Sequence, residues 1–269
     1  MATLVTLLDL TGYYQTHKGM KRVSIFGCGW VGKALAQKLQ PNYQINCSVQ
    51  SSNSYDALKV KNKFLLTYPN LFDEKFYNVD VLLIAIPPRE KYLKTLTKLL
   101  SFVLPSTQVI LLSSTSIYPQ TQGVVTEEMS QESTNPTLML QAERLVQSLR
   151  DDTVILRLGG LMGEKRIAGK YTAGKTKSHD VFVNYIHRDD VVKIIELCIK
   201  KELRANVFNA VASQHPKQSE LYTQNAKIFG WEETYYDSFE LKGKIVSVQK
   251  LVEQLDYEFL KPNPLNFWQ

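Results

Sequence analysis

The sequence predicts an α/β protein built around a doubly wound parallel sheet. Two observations lead to this fold class. Short β-type runs alternate with amphipathic helical stretches between residues 20 and 158, which is the pattern of parallel strands joined by helices. The run 79–86 is almost continuously apolar and ends at a Pro-Pro pair, as expected of a central strand that helices cover on both faces.

The first strand, predicted over 23–26, leads directly into the glycine pattern Gly27-x-Gly29-x-x-Gly32 and then into a helix over 33–39. In this context the pattern is typical of a dinucleotide site. Gly27 permits a tight turn, Gly29 lets the backbone approach a pyrophosphate, and Gly32 lets the helix pack on the strand. The amide groups at the helix start favour the negative charge. The alternative is an ordinary glycine turn, since glycine also punctuates loops.

Parallel strands end at one edge of a sheet, and ligands bind across that edge. The second strand, predicted over 44–49, ends at Gln50, Ser51 and Ser52, followed by Asn53. An acidic residue there would repel a 2′-phosphate, whereas these hydroxyl and amide donors can accept one, so the sequence favours NADP over NAD. The alternative is a polar surface turn. The other predicted cofactor contacts are Trp30, Val31, Ala85, Ile86, Pro87 and Ser113.

The remaining pattern divides the chain into three parts. Residues 1–19 are predicted to be an N-terminal extension, either an upstream start or a short added strand or helix. Residues 20–158 are predicted to form the dinucleotide-binding core. Residues 159–269 are predicted to pack on that core, where they complete the sheet and add a substrate lobe. Further strands are predicted over 63–66, 108–112, 153–158, 182–187 and 207–209. Further helices are predicted over 91–102, 138–149, 189–200, 218–229 and 248–255.

Composition narrows the class of protein. With 44% hydrophobic and 22% charged residues, the 269-residue chain is typical of a globular protein. No apolar run reaches the length of a membrane span. The net charge of +6 is spread along the chain, which argues against a nucleic-acid partner. Three separated cysteines and four scattered histidines predict no metal site and a reducing, cytoplasmic location.

Five segments, taken in order, resemble those of the extended and atypical short-chain dehydrogenase/reductases, also called NAD-dependent epimerase/dehydratases. The resemblance covers nearly everything from Met20 to Pro264. It implies a dinucleotide cofactor, a small-molecule substrate and a homodimer. The segments are the glycine loop, the strand-five segment 112–118 with Gly123 and Thr126-Glu127 after it, the segment 155–163, the segment 183–191 and the strand 207–209.

The resemblance also implies a catalytic serine, tyrosine and lysine. In the family the tyrosine exchanges a proton with a substrate oxygen, the lysine lowers the pKa of the tyrosine, and the serine positions the oxygen. Ser114 stands at the serine position, but the tyrosine and lysine positions fall on Asn135 and Met139. Neither of these two side chains can do the work of the family residue near neutral pH.

Two hypotheses follow from this departure. In the first, the protein is an oxidoreductase or epimerase acting on a small polar or nucleotide-linked substrate, and another side chain supplies the proton. Tyr118, Tyr171, Tyr185 and His187 are the candidates, and Ser114, Tyr118 and His187 are the predicted catalytic residues. Tyr118 and His187 also have structural alternatives, as a packing residue and a hydrogen-bonded residue. In the second hypothesis, the protein is a non-catalytic sensor or scaffold that binds the dinucleotide as a ligand.

Overall fold

The structure, a computed structural model, describes residues 19–119, 122–129 and 136–268. Apart from Gly19, the predicted N-terminal extension lies outside these residues, and so does Asn135. The strands are β1 (Arg22–Phe26), β2 (Gln44–Val49), β3 (Asn62–Leu65), β4 (Val81–Ile84), β5 (Gln108–Ser114), β6 (Gly123–Val125), β7 (Val154–Leu158), β8 (Gly160–Met162), β9 (Thr176–Lys177), β10 (Asp180–Val181), β11 (Tyr185–His187), β12 (Val207–Ala210), β13 (Tyr235–Tyr236), β14 (Leu241–Lys242) and β15 (Lys244–Val246).

Eight α-helices connect or flank these strands within the described ranges. They are α1 (Trp30–Leu39), α2 (Ser52–Asp56), α3 (Glu74–Tyr77), α4 (Tyr92–Leu100), α5 (Leu138–Leu149), α6 (Arg188–Lys200), α7 (Gln218–Phe229) and α8 (Gln249–Leu255). Short 3-10 helices cover Thr115–Ile117, Lys170–Thr172 and Pro264–Asn266. No helix in these ranges has both the length and the apolar character needed to cross a bilayer.

Seven strands form one sheet in the order β12-β7-β5-β4-β1-β2-β3, and every neighbouring pair is parallel. The order reverses between β1 and β4, which is the switch point of a doubly wound fold. Helix α1 packs beside α6 and α4 beside α5, and β4 and β7 are buried throughout, so helices cover both faces of the sheet. The predicted fold class is confirmed.

Most of the core is one hydrophobic cluster that runs from Val23 to Phe259. A second, smaller cluster lies in the C-terminal part and joins Ala168, Val183, Leu221 and Tyr222. Residues after Gly159 therefore contribute both to the main core, through α6 and β12, and to a separate small core. The division of the chain at Gly159 stays a prediction.

Several predicted element ends are wrong, and each error has a local cause. The first helix begins at Trp30, in agreement with the expectation that Trp30 and Val31 start it, so the stretch predicted over 33–39 is only its later part; the Lys33 amide donates to Gly29 O at 2.9 Å. The helix predicted over 189–200 begins one residue earlier, at Arg188, and His187 is its N-cap. His187 takes this position because its Nδ1 accepts a hydrogen bond from the Asp189 amide at 3.3 Å.

Candidate functional site

The three glycines of the loop between β1 and α1 have different structural reasons to be glycine. Gly27 has φ +96°, and a Cβ there would lie 2.6 Å from Ile86 Cγ2 and 2.8 Å from Ala85 O. A Cβ on Gly32 would lie 3.0 Å from Gly27 O, because the helix packs tightly against the loop. A Cβ on Gly29 would have no contact closer than 4.0 Å. The protein leaves the space over Gly29 open at the start of α1.

The loop is anchored to the end of β2. Two amides of the loop donate hydrogen bonds to Ser48. The Gly27 amide donates to Ser48 Oγ at 3.3 Å, and the Cys28 amide donates to the Ser48 carbonyl oxygen at 2.7 Å. The Cys28 side chain is fully buried, and its Sγ lies 2.9 Å from Sγ of the equally buried Cys47. These contacts set the position of the loop before any ligand arrives.

The loop forms one wall of a cleft of about 520 Å³ at the carboxyl ends of β1, β4, β5 and β7. Ten predicted site residues line this cleft together, while its other walls come from the Pro88-Arg89 turn, α5 and the chain after β7. Among the residues that the structure describes, its lining includes two arginines and no acidic residue. The predicted residues in the lining are Gly27, Gly29, Trp30, Val31, Gly32, Ala85, Ile86, Pro87, Ser113 and Ser114.

The predicted 2′-phosphate residues lie outside the enclosed cleft, in the turn that follows β2. Gln50, Ser51 and Ser52 are all exposed. Ser51 is the N-cap of α2 and accepts a hydrogen bond from the Ser54 amide at 3.3 Å. Thr67 Oγ1 donates to Gln50 O at 2.7 Å and holds the turn in place. No acidic side chain belongs to this turn, so the surface presented to solvent is made of hydroxyl and amide groups.

Ser114 lines the cleft, whereas Tyr118 does not. The Ser114 Oγ accepts a hydrogen bond from the Ser116 amide at 3.1 Å, which orients it and leaves its proton for a ligand oxygen. The Tyr118 side chain is 2% exposed; its hydroxyl donates to Asn209 Oδ1 at 2.7 Å and accepts from Arg157 Nη1 at 2.8 Å. Burial raises the pKa of Tyr118. These contacts place the hydroxyl in a buried polar network beneath the cleft.

Arg157 and Glu143 form the centre of this network. Arg157 Nη2 donates to Glu143 Oε2 at 2.9 Å, and the two side chains are 10% and 2% exposed. The Ser113 hydroxyl donates to Glu143 Oε1, which links the network to the wall of the cleft. Burial opposes the charge of Arg157 and is the largest single effect on its pKa, but the hydrogen bonds and charge interactions with Glu143 and Tyr118 together outweigh it and raise the pKa. The network ties the end of β5 to α5 and β7.

His187 is buried and caps a helix. Besides accepting from the Asp189 amide, its ring packs edge-on against Phe267 at a centroid distance of 5.3 Å. Burial lowers the pKa of His187, although Asp189 partly opposes the shift. The neutral imidazole is therefore favoured in the folded protein, and its lone pair serves the helix start. His187 does not line the cleft.

This arrangement predicts a pH dependence of folding stability. The folded-state pKa of His187 lies below its ordinary value of 6.5, so the unfolded chain binds more protons and stability falls as the pH drops below about 6.5. A His187→Asn variant keeps an oxygen that can cap the helix but cannot take up the proton. Urea unfolding between pH 7.5 and pH 5.5 should show a shallower decline for the variant. Identical slopes would contradict this role.

The position expected for the family lysine is occupied by Met139, on α5. Its side chain is 8% exposed and forms part of the cleft wall. Among the residues that line the cleft in the described part of the chain, none is a His, Tyr, Lys, Asp or Glu. The cleft therefore offers a ligand hydroxyl groups, backbone groups and two guanidinium groups, without a side chain that titrates near neutral pH.

Two arginines of the cleft are not among the predicted site residues, although the basic segment that contains Arg166 has two interpretations from the sequence, the lining of an anionic substrate site and a solvated basic loop. Arg89 follows the Pro-Pro pair at the end of β4, and Arg166 lies in the turn after β8. Arg166 stacks on the Trp30 ring, with its Cζ 4.3 Å from the ring centroid. The switch-point rule could have suggested Arg89. No sequence pattern around Arg166 distinguishes it from the neighbouring lysines, because its contact with Trp30 joins residues that are far apart in the sequence.

Tyr185 and Tyr171, the other two candidate proton donors, line a second cavity of about 370 Å³. This cavity adjoins the cleft, since Leu161 and Arg166 belong to the walls of both. A further cavity of about 400 Å³ lies at the opposite end of the sheet, against Met20 and Tyr43, and holds no candidate residue. The chemistry-bearing side chains therefore gather at the carboxyl edge of the sheet.

Several solved structures share this fold. A Methylobacillus flagellatus protein named as an NAD-dependent epimerase/dehydratase superposes with a TM-score of 0.74 at 19% identity, over 91% of this chain and 95% of that one. UDP-glucuronic acid 4-epimerase from Bacillus cereus, in complex with NAD, gives 0.73 at 16%, over 91% and 95%. Human epimerase family protein SDR39U1, with NADPH, gives 0.66 at 15%, over 90% and 96%. The fold expected from the short-chain dehydrogenase resemblance is confirmed.

The sequence itself has a closer relative. This chain is 31% identical to Protein YeeZ of Escherichia coli K12 over an alignment of 274 positions, which covers 91% of this chain and 98% of YeeZ. No family model matches the sequence. The chain belongs to the YeeZ family.

Proposed function

We propose that this protein binds NAD(P) in the cleft and acts as an oxidoreductase or epimerase on a small polar or nucleotide-linked substrate. The observation that carries the proposal is the open space over Gly29, at the start of α1, inside a loop whose other two glycines are fixed by packing. Helix-start amides, and a cleft with no acidic residue in its described lining, suit a pyrophosphate. The NAD and NADPH complexes of structures with the same fold support it.

The residues present fit the cofactor. The loop would hold the pyrophosphate, Ala85, Ile86 and Pro87 would pack against the cofactor beyond the switch point, and the turn after β2 would meet the adenosine ribose. When bound, the nicotinamide accepts or donates a hydride. Ser114 would orient a substrate oxygen by donating a hydrogen bond from its hydroxyl. Arg89 and Arg166 would neutralise the negative charge of a bound ligand. Met139 closes the wall against water without exchanging a proton.

The proposal includes a preference for NADP, which a single substitution tests. In Ser51→Asp, a carboxylate would face the 2′-phosphate while still capping α2. We expect NADPH to bind at least about tenfold more weakly and NADH to be little affected, since like charges at close range cost over about 1.4 kcal/mol. Titration of nicotinamide fluorescence measures both. Equal losses for the two cofactors would contradict the assignment of this turn.

A specific observation also favours the alternative, a sensor or scaffold that binds the dinucleotide without turnover. The described lining of the cleft lacks a general acid or base with a pKa near neutrality, and Met139 stands in the lysine position. General acid–base groups contribute a large part of the rate in reactions of this kind. A sensor needs only the loop and the cleft, and both are present.

One experiment separates the two functions. The purified protein is titrated with NADPH and NADH, and NADPH oxidation is then followed with a panel of carbonyl and sugar-nucleotide compounds. Turnover that Ser114→Ala abolishes, with cofactor affinity unchanged, supports the enzyme. Micromolar cofactor affinity without turnover supports the sensor. Failure to bind either dinucleotide overturns both.

Location and assembly belong to the proposal as well. All three cysteines, Cys28, Cys47 and Cys198, are buried free thiols, which suits the reducing cytoplasm. A homodimer is carried over from the short-chain dehydrogenase resemblance, and light scattering of the purified protein tests it.

A further inference from the structure

The second cavity, beside the cofactor cleft, has a preformed aromatic floor. A Cβ on Gly160 would lie 2.3 Å from the Tyr185 ring, and a Cβ on Gly169 would lie 3.1 Å from the Tyr222 ring. The absence of a Cβ at these two glycines therefore lets the two tyrosine rings pack directly against the backbone. The hydroxyl groups of Tyr185 and Tyr222 are hydrogen-bonded to each other at 2.7 Å. These contacts restrict both side chains, so the floor needs little ordering when a ligand arrives.

The rest of this cavity is mostly apolar and carries one sign of charge. Met162, Ile167 and Ala168 contribute aliphatic surface, and Tyr171, whose side chain is 78% exposed, stands at its mouth. Arg166 is the charged residue of the lining, and no acidic residue lines the cavity in the described part of the chain. A neutral flat group would fit the floor, and a negative group would be drawn to the edge where Arg166 lies.

The positive charge of Arg166 is not neutralised by the carboxylate of its neighbour Glu164. Glu164, two residues earlier in the same turn, pairs with Arg188 at 2.7 Å. Arg166 instead contacts the Trp30 ring, and no carboxylate within the described ranges lies at ion-pair distance from it. Stacking on an aromatic face orients a guanidinium while keeping its N–H donors free for a carboxylate or phosphate. Arg166 thus stands, oriented and unneutralised, at the junction of the two cavities.

We propose that the second cavity is the substrate pocket and that its ligand is an organic anion with a flat apolar body. The body lies on the Tyr185–Tyr222 floor, and its phosphate or carboxylate pairs with Arg166 beside the cofactor cleft. This inference rests on the proposed function, because it takes the neighbouring cleft to be the cofactor site. It names the substrate class, which the cofactor loop does not specify.

Phenyl phosphate, benzoate, benzyl alcohol and inorganic phosphate are the probes. The protein carrying Trp231→Phe and Trp268→Phe keeps Trp30 as its remaining tryptophan of three, so fluorescence reports from beside Arg166. We expect phenyl phosphate or benzoate to bind at least about tenfold more tightly than benzyl alcohol, because one charge-assisted pair is worth that factor. Inorganic phosphate should bind at least about tenfold more weakly than phenyl phosphate, since it lacks the apolar body. Comparing phenyl phosphate with benzoate distinguishes the two anions.

Three variants test which residues contact the anionic group and the apolar body of the probes. Arg166→Gln should weaken the preferred anion about tenfold and leave benzyl alcohol unchanged. Tyr185→Leu removes part of the floor and should weaken both aromatic probes. Lys165→Gln is the matched control, because Lys165 is the exposed cation next in sequence and lines neither cavity. It should change none of the affinities.

NADPH affinity is measured for every variant, which separates this inference from the proposed function. If Arg166→Gln weakens NADPH and not the anionic probes, Arg166 serves the cofactor and the inference is overturned. If inorganic phosphate binds as tightly as phenyl phosphate, no apolar body is recognised and the inference is again overturned. If the probes behave as expected while the wild-type protein binds neither NADPH nor NADH, the anion pocket stands and the proposed function fails.

Discussion

Replacing Gly29 with alanine is expected to weaken NADPH binding about a hundredfold, or about 2.7 kcal/mol. The substitution is expected to lower the free energy of unfolding by at most about 1 kcal/mol, because Gly29 is the N-cap of α1 and alanine is a poorer cap. The added methyl group has no protein atom closer than 4.0 Å, so the folded chain accommodates it. The same methyl group occupies the space through which a phosphate approaches the helix-start amides, and hydrogen bonds to a charged group are worth about 1.5–3 kcal/mol each. Fluorescence titration measures the affinity, and thermal unfolding measures the stability.

Two other glycines serve as controls for this variant. Gly19→Ala has no heavy atom within 4 Å of the added methyl group and should change neither property. Gly27→Ala places a methyl group 2.6 Å from Ile86 Cγ2 at a φ of +96°, and should lower stability as well as affinity. NADPH binding at wild-type strength by Gly29→Ala would mean that no pyrophosphate lies over this residue.

Glu143→Ala is expected to destabilise the fold by about 3–5 kcal/mol, because it leaves the buried Arg157 guanidinium without its carboxylate. It also removes the acceptor of the Ser113 hydroxyl at the cleft wall. Urea unfolding at pH 7.5 measures the change. Because a typical domain is stable by only about 5–15 kcal/mol, the variant should show a large fall in its unfolding midpoint.

The matched control is an ion pair on the surface. Lys242 and Glu240 lie 3.0 Å apart with side chains 43% and 64% exposed, so Glu240→Ala should change the free energy of unfolding by at most about 1 kcal/mol. Replacing both members of the buried pair by methionine should cost less than Glu143→Ala alone, because no unpaired charge remains. A Glu143→Ala cost as small as that of Glu240→Ala would contradict the assignment of this network.

Local pattern predicted much of the fold. The strand Gln44–Val49 and the helices Leu138–Leu149 and Gln218–Phe229 have the predicted bounds, because their apolar spacing and end signals lie within the segment itself. Element ends set by neighbours were less predictable. The run 79–86 forms a strand only over Val81–Ile84, since pairing with β1 and β5 decides where the ladder ends.

The residues proposed to hold the cofactor were more predictable than the residues proposed for substrate. Gly27, Gly29 and Gly32 are found by spacing, and the ends of β4 and β5 follow from the rule that ligands lie at the carboxyl edge. Tyr118 and His187 have chemistry that suits catalysis, and the structure places them in a buried polar network and at a helix cap; a catalytic role for either stays a prediction. A side chain's type shows what it can do, but its partners decide what it is free to do.

The sequence by itself determined the parallel sheet and the glycine loop, because both follow from residue type and short-range spacing, and its resemblance to the short-chain dehydrogenases implied that tyrosine and lysine are missing from their family positions. Only the tertiary structure decided that Tyr118 is held by Arg157 and Asn209, and that Arg166 reaches Trp30 at the mouth of the cleft. These contacts join residues 39 to 136 positions apart in the chain. No local periodicity encodes such distances, and packing of the whole core brings the partners together.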